Sequence, residues 1–183
     1  MWLPGILPGI KPDDKNTSIL LLFSMQITHL MSRVAIGGTF SPLHDGHKAL
    51  LSRAHQLSSN GELIIGITSN EMARKRLRYV EEWEIRKQKL VQFMLEEFGA
   101  SPKIVCLEDP FGPTIEEDFE YLVVSPETEP TGNLINARRA ELRKEPIKVE
   151  RVEYVLAYDR QPISSTRIME HEIDIHGQLL QHR

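Results

Sequence analysis

The sequence predicts an α/β protein: a doubly wound, mostly parallel five-stranded sheet in a single domain. Three observations carry that reading. From Arg33 onward, short apolar runs alternate with stretches whose apolar residues recur at helical spacing, the pattern of strand–helix–strand units that wind into a parallel sheet. The run Glu62–Thr68 (GluLeuIleIleGlyIleThr) is apolar almost throughout, as in a strand covered on both faces. The polar motifs all fall at the carboxyl ends of the runs, where doubly wound sheets place their ligands.

The elements follow in order. Val34–Ile36 is the first strand, broken by Gly37-Gly38 and a turn through Thr39, Phe40, Ser41 and Pro42, with a helix entered near Asp45. Leu50, Leu51, Ala54 and Leu57 form one stripe of that helix, and Asn60-Gly61 stops it. Glu62–Thr68 is the second strand. Trp83, Leu90, Val91, Met94, Leu95 and Phe98 mark a long helix ended by Gly99. Lys103–Leu107 is the third strand, Glu120–Val124 the fourth and Ile147–Val155 the fifth, with a short helix around Ile168. No internal repeat or low-complexity tract interrupts this order.

Residues 31–183 read as the domain. Residues 1–30 read as an extension outside it, because Pro4, Gly5, Pro8, Gly9 and Pro12 break any regular element. A strand or helix added to the domain is the alternative. The apolar run Ile19–Met25 is shorter than the ~20 residues a membrane span needs, and no small-residue cleavage site follows it. Met31, just before the first strand, leaves a later start as a further reading.

A chain of 183 residues with ordinary apolar and charged fractions suits one globular domain. Its net charge of −4 speaks against a nucleic-acid surface, though a small anion needs only a local positive cluster. The single cysteine, Cys106, sits in the apolar run Ile104–Leu107 and reads as a buried core thiol. With no disulfide possible inside the chain, a reducing cytoplasm is expected, with no membrane or nucleic-acid partner.

Residues 34–51 gather the equipment for holding a phosphate. Gly37-Gly38 lets backbone approach a bulky anion, and the following helix aims its free N–H groups and dipole at the same place. His44 and His47, spaced to share a face, stand at that helix mouth. The G-x-x-x-x-G-K-[ST] loop, G-x-G-x-x-G and HExxH are all absent. A metal pair formed by the two histidines lacks a third ligand at helical spacing. Two solvated histidines at an ordinary helix start are the plain alternative.

Two further clusters follow. Arg74, Lys75, Arg76 and Arg78 put four cations near the end of the second strand, either a phosphate-attracting patch or a solvated helix end. Ser164, Ser165 and Thr166 precede Arg167 at a loop-to-helix junction. An N-cap needs one hydroxyl, so three suggest a second anion mouth.

GlyThrPhe-x-ProLeuHis-x-GlyHis resembles the signature of the HxGH nucleotidyltransferase superfamily. IleSerSerThr-x-Ile at 163–168 is similar to its second motif, without the arginine that often follows. ThrSer-x-GluMetAlaArgLys at 68–75, AspProPheGlyPro at 109–113 and ValSer-x-GluThr at 124–128 resemble archaeal-type phosphopantetheine adenylyltransferases. Ser41 stands where that family commonly has Asp, and Glu84-Ile85-Arg86 where it usually has GluGluArg. The resemblance spans nearly all of residues 33–177. It implies a Rossmann-like nucleotidyltransferase fold and transfer of AMP from ATP, with Mg²⁺, to 4′-phosphopantetheine. On that basis His44, His47 and Lys75 are the expected catalytic residues. Gly37, Gly38, Thr39, Phe40, His47, Ser164, Ser165, Thr166 and Arg167 are expected to bind nucleotide. Thr39, Lys75, Ser125, Asn136 and Arg139 are expected to meet the acceptor, with Arg74 and Arg76 rivals of Lys75. Arg86 can steady phosphate or stand on an exposed helix face. A nicotinamide mononucleotide adenylyltransferase, a cytidylyltransferase and a non-catalytic nucleotide-binding module are the rival readings. The ArgThr-x-GlyIleSerThrThr string of many cytidylyltransferases is absent.

Overall fold

In the computed structural model, which describes residues 32–59, 61–77 and 79–180, the first strand, β1, spans Arg33–Gly38. Helix α1 (Asp45–Leu57) follows, then β2 (Glu62–Thr68), α2 (Asn70–Arg76) and α3 (Trp83–Phe98). Next come β3 (Lys103–Leu107), a 3₁₀ turn at Gly112–Thr114 and β4 (Tyr121–Val124). Helix α4 (Glu129–Glu141), β5 (Lys148–Arg151) and α5 (Ser165–Met169) complete the order. The described residues form one compact unit. The expected extension at 1–30 lies outside the described residues, as do Asn60 and Arg78.

The strands lie in the order β3-β2-β1-β4-β5 and every pairing is parallel, so "mostly parallel" becomes wholly parallel for these five. Strand pleat sends alternate residues to opposite faces. Val34, Ile36, Leu63, Ile65, Ile67 and Val123 face one side, where Leu51 and Ala54 of α1 and Leu90 and Met94 of α3 cover them. Ala35, Ile64, Leu122 and Val124 face the other, against Ile135 of α4 and Phe119 and Ile147. The chain therefore leaves β1 and β4 toward opposite faces. A cleft opens where those two routes diverge, at the carboxyl ends of β1 and β4.

Two expectations are corrected. Cys106 is exposed: β3 is an edge strand, and an apolar run at an edge is not covered on both faces. The fifth strand stops at Arg151 rather than Val155. Val152 still donates to the Val124 carbonyl (2.9 Å), but β4 ends there and offers nothing further to pair with. Of the cations at 74–78, Arg74, Lys75 and Arg76 form the end of a helix capped by Ser69, whose hydroxyl accepts from the Met72 N–H. Gly99 ends α3 as expected, with φ of 61°.

Candidate active site

The turn after β1 is held from below. Phe40 is buried at a positive φ of 52°, a conformation that strains a residue with a side chain. Its ring lies over Gly38, where a Cβ would come within 3.0 Å of it. Gly38 is therefore fixed by the packing of Phe40 as much as by any ligand. The backbone between Ser41 and Pro42 is cis. Thr68, at the end of β2, donates its hydroxyl to that of Thr39 (3.1 Å). The Thr39 oxygen is thus an acceptor on the protein side, which leaves its proton for a ligand.

His44 is the N-cap of α1, with Nδ1 accepting from the His47 N–H (3.4 Å). An accepting Nδ1 puts the neutral ring's proton on Nε2. Gly46 makes room for this arrangement: a Cβ there would lie 3.0 Å from Cε1 of His44. The two imidazoles stack with centroids 3.8 Å apart. Burial lowers the His44 pKa to about 4, against the pull of the Asp45 charge. Burial and the neighbouring His44 lower that of His47 to about 3, with the Pro42 carbonyl opposing. Both rings are neutral donors at pH 7. His47 Nδ1 is sealed from solvent with no hydrogen-bond partner.

The second motif arrives from the far end of the chain. Ser164 caps α5, its hydroxyl accepting from the Arg167 N–H (3.4 Å). One hydroxyl does the capping, and Ser165 and Thr166 stand beside it. A small core of Ala157, Ile163 and Ile173 seats this turn. The following segment closes on α1: the Ile175 carbonyl accepts from the Asp45 N–H (3.1 Å), and His176 meets the Asp45 carboxylate (2.9 Å). Thr39, His44, His47, Ser164, Ser165 and Thr166 all line one cavity of about 320 Å³. Gly37, Gly38, Phe40 and Ser125 share its wall.

The remaining expected residues stand elsewhere. Lys75 is 69% exposed and paired with Glu71 one helical turn away, outside the cavity wall. Arg76 is in the wall and pairs with Glu127. Asn136 is occupied by the fold, donating to the Ile147 carbonyl and accepting from its N–H (both 2.8 Å). Arg139, 1% exposed, donates to the carbonyls of Thr114, Glu117 and Glu145 and to Asp118. Arg167 is gripped by Asp159 and Glu172. Asn136, Arg139 and Arg167 are not in the cavity wall, and each ties a loop to its neighbour.

A model of the family described as cytidylyltransferase-like matches residues 35–171. The chain belongs to that family. It is 45% identical over 152 residues to a phosphopantetheine adenylyltransferase of Methanosarcina mazei, covering 81% of this chain and 97% of that one. A protein of the same name from Archaeoglobus fulgidus is 45% identical over 148 residues, covering 81% and 99%. Among solved structures, a protein of unknown function from Archaeoglobus fulgidus aligns at TM-score 0.64 and 43% identity, covering 68% of this chain and all of that one. A lipopolysaccharide core biosynthesis protein from Thermoplasma volcanium (TM-score 0.52, 19% identity, 67% and 96% covered) shares the fold.

For this cytidylyltransferase-like chain, sequence reading missed the brace behind Thr39. Arg86 is fully buried, not on an exposed helix face. It donates to the carbonyls of Thr39 (3.1 Å) and Glu81 (2.8 Å), to the Thr68 hydroxyl (3.4 Å) and to Asn70 Oδ1 (3.1 Å). Thr68 and Asn70 flank the carboxyl end of β2, the position that could have drawn attention to them. The walls at Leu77 and Val152–Val155 also went unread, since nothing in their residue types marks them.

Proposed function

We propose that the chain transfers AMP from ATP to 4′-phosphopantetheine, forming dephospho-coenzyme A and pyrophosphate. The observation that carries this is the meeting of the two histidines and the SerSerThr turn in one cavity, in a chain that matches relatives bearing that enzyme's name over almost their whole length. An oxygen of the acceptor's phosphate attacks the α-phosphorus as the bond from that phosphorus to the β-phosphate bridge breaks, and pyrophosphate carries off the electron pair. No protein nucleophile is needed, so catalysis is positioning and charge stabilisation.

Thr39 would orient the attacking phosphate with its free hydroxyl proton. His44 would present Nε2–H, and His47 its neutral imidazole, to the α-phosphate oxygens as charge builds there. Ser165 and Thr166 would receive the departing phosphates. Mg²⁺ fits as part of the ATP substrate: it prefers phosphate oxygens and waters, and among the described residues no three His, Cys, Asp or Glu side chains cluster to cage an ion. No helix among the described residues is long and apolar enough to cross a membrane; a cytoplasmic location belongs to this reading.

Pyrophosphate release with ATP and each acceptor in turn tests it. The reading requires release with 4′-phosphopantetheine. Release with nicotinamide mononucleotide or an alcohol phosphate instead would reassign the acceptor, and silence with all of them would leave only a nucleotide-binding module.

A further inference from the structure

Strands β2 and β4 flank β1, so the segments that follow them face each other across its carboxyl end. From the β2 side comes Arg76, the last residue of α2. From the β4 side comes Glu127, on a turn locked by Ser125 and Thr128: each hydroxyl accepts from the other residue's N–H (3.0 and 3.3 Å). The Arg76–Glu127 ion pair therefore joins the two walls of the cleft over the end of β1.

The composition of the wall makes this pair unusual. Among the described residues, Arg76 is the only lysine or arginine that lines the cavity. Its neighbours Arg74 and Lys75 are taken by Glu82 and Glu71, outside the wall. The wall's other carboxylate, Glu153, is already held by Arg151 (2.8 Å). Among the described residues, a cavity meant for two polyanions thus has one guanidinium, and a carboxylate sits on it. The pair is 63% and 60% exposed, and exposed pairs are weak enough for a better-charged ligand to break. A phosphate offers a guanidinium the same forked geometry with more charge.

We propose that Glu127 is a placeholder for substrate: it holds Arg76 across the cleft, and the acceptor's phosphate displaces it on binding. This rests on the adenylyl-transfer reading and assigns the acceptor's cation to Arg76. Steady-state kinetics with ATP and 4′-phosphopantetheine varied separately test it, in wild type, Glu127→Gln, Arg76→Ala and the double variant. Freeing Arg76 in Glu127→Gln should lower the acceptor KM by up to about fivefold, with the change on the acceptor rather than on ATP. Arg76→Ala should raise the acceptor KM about tenfold or more. In the double variant the glutamine should make no further difference. An unchanged acceptor KM in Glu127→Gln overturns the proposal. So does an equal drop with and without Arg76, which would mean simple repulsion by Glu127, or a change confined to the KM for ATP. These outcomes leave adenylyl transfer standing; a wild type inactive with 4′-phosphopantetheine defeats both.

Discussion

His47 and Gly46 set opposite limits on what one residue does here. His47 lines the cavity as a neutral imidazole, so its removal takes a donor from the transition state. A charge-assisted hydrogen bond contributes about 1.5–3 kcal/mol, so His47→Ala should lower kcat roughly tenfold to hundredfold. Turnover within threefold or so of wild type would remove His47 from the chemistry. Gly46→Ala acts by crowding, because its methyl would press on the His44 ring, which already stacks on His47. In a helix, alanine is favoured over glycine by up to ~1 kcal/mol. The variant should therefore match or exceed wild type in thermal melts while losing about tenfold or more in kcat/KM. A variant that melts early would show that the ring has room only at the fold's expense.

At the level of elements, α3 carries the brace. Arg86 reaches from its first turn to the carbonyl of Thr39 and the hydroxyl of Thr68, tying the β1 turn to the end of β2. Arg86→Met would leave several buried acceptors without a donor, a loss of about 1–3 kcal/mol, and would release Thr39. Chemical denaturation should show that loss, and kcat should fall alongside it. Preserved kcat with the stability lost would make Arg86 structural alone. The long helix itself was legible in the sequence: its apolar spacing and Gly99 gave both ends as they stand. β2 and β3 were legible for the same reason, being continuous runs between turn residues. Arg86, Asn136 and Arg139 were not, because an arginine or asparagine that satisfies distant carbonyls looks in sequence like any polar residue on a helix. Those partners lie up to 47 residues away, beyond any local pattern. Cys106 was misread because strand order, and so which strand is an edge, is not written in a single run.

On the scale of the whole molecule, the two buried imidazoles couple folding to pH. Their folded pKa values, about 4 and about 3, lie below the unfolded value of about 6.5. Between roughly pH 4 and 6.5 the unfolded chain binds more protons at these sites than the folded one, so stability rises with pH there. The contribution is present above ~6.5 and is lost as the pH falls toward 4. From pH 7 to pH 5 the two sites should remove on the order of 2–4 kcal/mol. Denaturation at both pH values, in wild type and in His44→Asn/His47→Asn, checks this: the variant should show a visibly smaller difference. Equal differences would mean that other groups govern acid stability.

The solitary thiol on the sheet's outer strand has a practical use. Cys106 is the chain's one cysteine and is accessible. Its register partner Ile67 directly precedes Thr68, whose hydroxyl steadies Thr39. A maleimide fluorophore would attach there and nowhere else, without prior mutagenesis. Burial and the nearby Glu108 raise the thiol's pKa, so mildly alkaline conditions would speed the coupling. The dye would then sit beside the strand that steadies the reacting turn, ready to signal occupancy by changes in its emission.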